Sequence, residues 1–276
     1  MNKYQLTERI KTTGSYLTVG LDTDITKIPK HLKNMPNAVF EFNKAIIDAT
    51  KQYCVSYKIN TAFYESQGLK GWEAMEQTVN YIPDTHFKIA DAKRGDIGNT
   101  SHQYAKAFFE TLNFDAVTVA PYMGSDSVKP FLEYDDKWTI VLGLTSNAGS
   151  FDFQRLPLQT NGADNDLLLY EKLLATVAGW GTPDNLMFVV GATRAADLAH
   201  IRNIIPDNFL LVPGVGFQGG SLSEVSKYGF TKDCGLLVNA SRAVIFASDD
   251  EDFATAAATV AAEYQAEMKP YIDAIL

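Results

Sequence analysis

Short apolar segments rich in β-branched residues alternate with longer amphipathic segments along the whole chain. The apolar segments have the length of buried strands, and the amphipathic ones have the spacing of helices. Eight strand-like segments occur, at residues 16–21, 54–59, 86–90, 116–120, 139–144, 187–191, 209–213 and 235–239. Helical patterns occupy residues 38–52, 72–81, 98–112, 167–180, 194–204, 222–228 and 252–275.

This alternation predicts an α/β protein, and eight repeats favour a (β/α)8 TIM barrel. The chain has 276 residues, close to the roughly 250 residues of such a barrel. We therefore expect a single domain over residues 1–276. A doubly wound sheet is the alternative, but no GxGxxG motif follows the first apolar segment to favour it.

Charge and cysteine content narrow the possible partners and location. A net charge of −9 with no basic tract argues against nucleic acid and against an anionic membrane surface. Cys54 and Cys234 form no CxxC motif and no His/Cys cluster, so neither a disulfide framework nor a metal site is expected. The N-terminal residues lack the apolar stretch of a secretory signal, and no run reaches the roughly 18 apolar residues of a membrane span. We expect a cytoplasmic protein.

The third strand-like segment leads directly into residues 91–96, which read DAKRGD. Side chains alternate along a strand, so Asp91 and Lys93 should point the same way, while Asp96 lies where a helix could begin. Lys58, at the end of the second segment, would extend this row of alternating charges. Flanking carboxylates favour the ammonium form of Lys93, which suits a proton donor or an electrostatic stabiliser, not a Schiff-base lysine. A structural ion-pair network is the other interpretation.

The connections after the last two strand-like segments predict a phosphate site. Residues 212–221 contain four glycines, which let backbone N–H groups approach a phosphate. After the eighth segment comes Arg242, whose guanidinium can fork onto phosphate oxygens. In many barrels the loops after strands seven and eight together bind phosphate.

These motifs together resemble the signature of the orotidine 5′-phosphate decarboxylase family. The most specific is DxKxxDIxNT at residues 91–100, and the resemblance covers residues 20–242 in the expected order. Its other elements are Gly20-Leu21-Asp22, Lys58, Thr145-Ser146-Asn147, residues 213–220 and Ala240-Ser241-Arg242. The residues AKRG within this motif, and the chain length, are similar to those of the longer bacterial subgroup of the family. That subgroup often has a proline where this chain has Ala148.

The resemblance implies a homodimer with active sites at the subunit interface and with no cofactor. It implies that Lys58, Asp91 and Lys93 are catalytic in one subunit. The catalytic Asp96 would enter the partner's site, together with Ile97 and Thr100. Further substrate contacts are implied at Asp22 and Thr100 for the ribose, Ser146 for the pyrimidine, Gln218 and Arg242 for the phosphate, and also at Pro213 and Ser241.

The implied reaction removes CO2 from orotidine 5′-phosphate and gives UMP, with Lys93 stabilising and then protonating the C6 carbanion. Two other functions stay open at this point. A metal-dependent sugar-phosphate decarboxylase or aldolase on the same barrel shares the DxKxxD pattern, although the IxNT continuation and Gln218 favour the nucleotide enzyme. A non-catalytic nucleotide-binding barrel would not need Lys93 between two carboxylates. The loop at residues 147–164 is a lid, an interface element or an insertion.

Overall fold

The structure is a computed structural model that describes residues 1–158, 167–192, 195–216 and 220–275. Eight parallel strands close into a barrel, in which each strand pairs with the next and the eighth pairs with the first. The strands are β1 (Leu17–Gly20), β2 (Ser56–Asn60), β3 (Phe87–Arg94), β4 (Ala116–Val119), β5 (Trp138–Leu144), β6 (Leu186–Val190), β7 (Leu210–Pro213) and β8 (Leu236–Ala240). The predicted (β/α)8 fold is confirmed, and barrel closure excludes the doubly wound sheet.

Helices connect the strands and cover the outside of the barrel. They are α1 (Lys3–Thr13), α2 (Ala38–Thr50), α3 (Ala62–Glu65), α4 (Leu69–Tyr81), α5 (Gly98–Lys106), α6 (Ser125–Leu132), α7 (Ser150–Phe153), α8 (Leu169–Ala178), α9 (Ala195–Ile204), α10 (Leu222–Gly229), α11 (Arg242–Ile245) and α12 (Phe253–Asp273). The α5 helix continues as a π-helical turn, Ala107–Thr111. No helix within the described ranges is long and apolar enough to cross a bilayer.

The sequence patterns did not predict α1 or the short helices α3, α6, α7 and α11. Helices of four to eight residues contain too few turns to give a clear period. The signal for α1 was a capping box, because the Asn2 side chain accepts the Gln5 amide and the Gln5 side chain accepts the Asn2 amide.

The core explains why the strand segments read as continuous apolar runs. Every residue of β1, β4 and β6 is buried, since barrel strands face side chains on the inside and helices on the outside. The C-terminal helix packs beside α2, where the Phe42 and Phe253 rings stack with centroids 5.2 Å apart. This contact helps to complete the ring of helices.

A buried polar network anchors the loop after β1, which carries Asp22. The Asn43 side chain accepts the Thr23 hydroxyl at 2.6 Å and donates to the Tyr64 and Thr78 hydroxyls, both at 2.9 Å. The Tyr64 hydroxyl in turn donates to a carbonyl of the same loop at 3.0 Å. Because buried polar groups are costly unless hydrogen-bonded, this network holds the loop in one conformation.

The segment after β5, expected to be a loop over residues 147–164, has secondary structure where it is described. It contains α7 and a two-residue antiparallel ladder between Pro157–Leu158 and Leu167–Leu168. Arg155 ties it to α9 through Asp197, with 2.6 Å between Nη2 and Oδ2. Residues 159–166 lie outside the described residues.

Candidate active site

A cavity of about 200 Å³ opens where the C-terminal ends of the barrel strands meet. Parallel strands bring these ends to one face, so residues far apart in sequence converge there. The apolar side chains of Val189 and Leu211 contribute to its wall. The predicted site residues that line it are Asp22, Lys58, Asp91, Lys93, Pro213, Ser241 and Arg242.

Lys58 is the most buried charge of the cavity, with only 4% of its side chain exposed. Its ammonium lies 3.1 Å from Asp22 Oδ1 and 3.0 Å from Asp91 Oδ2. Burial by itself lowers the pKa of Lys58, but the two carboxylates outweigh burial and raise that pKa above its ordinary value. Both carboxylates are thus engaged by an ammonium.

Across the described ranges, no three His, Cys, Asp or Glu side chains lie close enough together to hold a metal ion.

Asp91 links Lys58 to Lys93, whose Nζ lies 2.6 Å from Asp91 Oδ1. Burial raises the pKa of Asp91, but the two neighbouring ammonium groups outweigh burial and hold that pKa well below its usual range. Half of the Lys93 side chain is exposed, at 50%. The row Asp22–Lys58–Asp91–Lys93 therefore runs from a buried ammonium to an ammonium that a ligand can reach.

The strand that carries Asp91 and Lys93 is irregular at this point. Pairing of β3 with β4 shifts register between Ala90 and Arg94, and Lys93 has a left-handed backbone with φ of +48°. Such a conformation costs about 1–3 kcal/mol for a residue other than glycine. A simple alternation of side chains predicted that Asp91 and Lys93 point the same way. In the structure both line the cavity, and both lie within the register shift of β3.

Gly95 follows Lys93 and has a packing role. The residue with positive φ in this segment is Lys93, not Gly95. A Cβ on Gly95 would lie 3.1 Å from the Ala120 carbonyl oxygen, so the glycine permits a close approach of two backbones.

The hydroxyl of Thr118 on β4 holds the inner side of this bulge. It accepts the Lys93 backbone amide at 2.9 Å and donates to Asp91 Oδ1 at 3.0 Å. Sequence reasoning missed Thr118, because it lies inside an apolar strand and resembles any other buried strand threonine.

Arg94 holds the outer side of the bulge. Its carbonyl accepts the Ala120 amide at 2.8 Å, and its guanidinium pairs with Glu65 of α3. The guanidinium also lies over the rings of Tyr104 and Phe108, 5.5 and 5.4 Å from their centroids. These contacts connect β3 to α3 and α5, and sequence reasoning assigned no function to Arg94 or Glu65.

The described residues on either side of positions 217–219, in the connection after β7, are hydrogen-bonded to each other near the cavity. Gly214 and Gly216 have φ values of +95° and +77°, which only glycine adopts without strain. The Gly216 amide donates to the Gly220 carbonyl at 2.9 Å, and the Gly220 amide donates to the Gly214 carbonyl at 3.3 Å. Gln218, predicted as a phosphate ligand, lies outside the described residues.

Ser241 and Arg242 follow β8, and Ser241 lies against the end of β1. A Cβ on Gly20 would lie 1.9 Å from Ser241 Oγ, so only glycine fits at the end of β1. Asn239 donates to Ser241 Oγ at 3.1 Å. The Asn239 Oδ1 atom is buried and has no hydrogen-bond partner within the described part of the chain. Sequence reasoning did not identify Asn239.

Four predicted site residues do not line the cavity of the single chain. Asp96 accepts the adjacent amide of Ile97 at 2.7 Å and forms no salt bridge with any described residue, so it is not part of the charge row. Ile97 is 57% exposed and Tyr122 of the next loop is 94% exposed. Thr100 is also exposed. Ser146 lies at the end of β5 and packs against the β6 end.

Comparisons with known proteins show which family the chain resembles in sequence and in fold. The chain matches the model of the Orotidine 5'-phosphate decarboxylase / HUMPS family over residues 15–257. The curated orotidine 5'-phosphate decarboxylase of Phocaeicola vulgatus is 57% identical over 272 residues, 98% of each chain. The solved structure of Leishmania donovani OMP decarboxylase has a TM-score of 0.81 and 35% identity, and the match covers 98% of this chain and 99% of that one. Leishmania donovani UMP synthase, with a TM-score of 0.80 and 38% identity, matches over 95% of this chain and 56% of its own.

We predict that Asp91 makes the free energy of unfolding depend on pH in the acid range. Its folded pKa lies below the unfolded value of about 3.9, so ionised Asp91 stabilises the fold above about pH 4, and this contribution disappears as pH falls towards the folded pKa. On going from neutral pH to about pH 3, Asp91→Asn should lose about 1 kcal/mol less unfolding free energy than the native chain. Urea unfolding at several pH values measures this.

The control for this measurement is Asp135→Asn, which removes an exposed carboxylate. This control should lose unfolding free energy with acid as steeply as the native chain. The same acid slope in native protein, Asp91→Asn and Asp135→Asn would contradict the prediction.

Proposed function

Because the chain belongs to the orotidine 5′-phosphate decarboxylase family and converts orotidine 5′-phosphate to UMP and CO2 in pyrimidine biosynthesis, we propose that the charge row is its catalytic machinery. The observation that carries this proposal is the Lys93 ammonium, half exposed to the cavity and 2.6 Å from a buried carboxylate. A sugar-phosphate enzyme and a non-catalytic barrel are not favoured, because a relative 57% identical over 98% of the chain is named as the decarboxylase.

The proposed role of Lys93 follows from the electronic demand of the reaction. Breaking the C6–carboxylate bond leaves an electron pair in an sp² orbital that is outside the ring π-system. A fixed positive charge beside C6 stabilises this pair as it develops. Lys93 then transfers a proton from its ammonium to C6, which gives UMP, and recovers a proton from solvent.

Asp91 and Lys58 set the charges around this step. Asp91 contacts the Lys93 ammonium directly on one side and the buried Lys58 ammonium on the other, and these two positive charges keep it ionised. We propose that the substrate carboxylate sits beside Asp91, so that repulsion between the two carboxylates is relieved when CO2 leaves. Asp22, on the other side of Lys58, is placed to accept a ribose hydroxyl.

The phosphate end of the site would be formed by Arg242 and Ser241 after β8 and by Pro213 and the glycine turn after β7. Gln218 belongs to the same connection and is proposed as a further phosphate ligand. Phosphate binding is remote from C6, yet its energy can offset the cost of placing two carboxylates together. This explains why one enzyme joins a phosphate site to a row of charges.

We infer that the active site is completed by a second copy of the chain. The cavity volume, about 200 Å³, is below the roughly 300–1,000 Å³ of common small-molecule sites. Ile97 and Tyr122 follow the C-terminal ends of β3 and β4 and expose apolar surface at the same end of the barrel as this cavity. Asp96, Ile97 and Thr100 would enter the partner's site, while Ser146 would contact the pyrimidine from the subunit that supplies Lys93.

Replacing Lys93 by alanine should abolish most of the activity while the fold is retained. We expect kcat to fall by about 10⁴-fold or more, because both the electrostatic stabilisation and the proton donor are lost. Loss of the orotate ultraviolet absorbance, followed in EDTA, measures the rate, and circular dichroism checks the fold. Lys106→Ala, which removes an exposed lysine of α5, should behave like the native enzyme. A kcat of Lys93→Ala within tenfold of the native value would contradict the proposed mechanism.

Replacing Arg242 by alanine should reduce the contribution of the substrate phosphate to kcat/KM. Losing a charge-assisted contact of this kind costs roughly 1.5–3 kcal/mol, so kcat/KM should fall by about 10- to 150-fold. The matched control is the substrate itself without its phosphate: with orotidine, native enzyme and variant should have equal kcat/KM. If Arg242→Ala impairs orotidine as much as orotidine 5′-phosphate, Arg242 is not the phosphate ligand.

Mixing two inactive variants tests whether the active site is shared. If Lys93 and Asp96 of one site come from different subunits, a mixture of Lys93→Ala and Asp96→Ala forms heterodimers that contain one intact site each. Random exchange should restore about a quarter of the native activity. If both residues act within one subunit, every site in the mixture lacks one of them and no activity returns, which would overturn the shared site.

A further inference from the structure

Thr118 lies at the centre of the catalytic row although its side chain is fully buried. It belongs to β4 and faces the bulge in β3. Its Oγ1 accepts the Lys93 backbone amide at 2.9 Å and its hydroxyl hydrogen is directed to Asp91 Oδ1, 3.0 Å away. The same Oδ1 accepts the Lys93 ammonium at 2.6 Å. The three residues therefore form a closed ring of hydrogen bonds.

This ring constrains both ends of Lys93. The backbone of Lys93 is in the left-handed region, with φ of +48°. Its amide lies where the β3–β4 register shifts, and it donates to a side chain, the Thr118 hydroxyl. Without an acceptor at this point, the strained conformation would leave a backbone donor unpaired. The hydroxyl of Thr118 supplies that acceptor and also fixes the carboxylate to which Nζ is bound.

Two other strand threonines show that burial alone does not create such a role. Thr18 on β1 and Thr139 on β5 are also fully buried. Their hydroxyls have no hydrogen-bond partner within the described part of the chain. Thr139 lies on the neighbouring strand, where it pairs with Val117, the residue before Thr118. Substitution of Thr139 therefore removes the same kind of side chain from a nearby position and serves as a control.

We propose that Thr118 is a positioning residue for the decarboxylation, a proposal that rests on the role of Lys93 given above. Thr118 keeps Lys93 in its left-handed conformation and holds Asp91, so that the ammonium is aimed into the cavity. Loss of the hydroxyl lets the β3 bulge relax, which moves Nζ away from C6. Contacts to the phosphate and ribose involve other residues, so the effect should fall on kcat and not on binding.

The test compares Thr118→Val, which removes the hydroxyl at nearly constant volume, with Thr118→Ser, which keeps it, and with the control Thr139→Val. We expect Thr118→Val to lower kcat on the order of 100-fold, the cost of a small misplacement of a reacting group. Its KM and its dissociation constant for UMP should stay within about threefold of native. Thr118→Ser should recover most of kcat, and Thr139→Val should have native kinetics.

A double variant separates a positioning role from general loss of structure. If Thr118 acts through Lys93, adding Thr118→Val to Lys93→Ala should not lower the residual rate further. A further drop in the double variant would overturn the proposal, as would native kcat in Thr118→Val. Should Thr118→Val fail to fold, Thr118→Ala is judged by the same criteria.

The two hypotheses fail in different ways. Substantial turnover by Lys93→Ala would overturn the catalytic role of Lys93 and, with it, the role of Thr118. An inactive Lys93→Ala enzyme together with native kcat in Thr118→Val would overturn only the role of Thr118.

Discussion

An ammonium removed from water needs compensating negative charge, and Lys58 meets this requirement with two carboxylates from two other strand ends. The other charges of the site depend on this pairing. Because Lys58 is buried behind Asp91, that carboxylate stays ionised, and it can in turn hold the ammonium of Lys93 at 2.6 Å. The three strands that carry these residues are adjacent in the barrel, so closing the barrel assembles the row.

The strand end that carries Asp91 and Lys93 is held in a strained conformation. Most of the barrel is regular, but β3 breaks its pairing with β4 and places Lys93 in a left-handed conformation. Thr118 holds this bulge from inside the barrel, and Arg94 holds it from outside through Glu65. A residue in a costly conformation persists only when its neighbours over-determine it, and here the contacts come from two strands and a helix.

The two ends of the cavity are built on different principles. At the end that holds Lys58, Asp91 and Lys93, charged side chains pair with one another. At the end proposed to bind phosphate, backbones approach closely: Gly214 and Gly216 have positive φ, and Gly20 leaves room for Ser241. A chain of net charge −9 can recognise an anionic nucleotide because Lys58, Lys93 and Arg242 line the same cavity.

The sequence by itself determined the eight strands, the barrel and the residues at the strand ends, since the periods of two and 3.6 are local properties of the chain. Most of the predicted site could be read in the same way, including Lys58, Asp91, Lys93 and Arg242. Only the tertiary structure decided that Asp91 and Lys93 lie in a register shift of β3, that Thr118 bonds to both, and that Asp96 lies outside the row of its own chain. In sequence Thr118 is indistinguishable from Thr139, because a hydrogen-bond partner depends on the register between strands, and pairing register is set by the closed barrel as a whole.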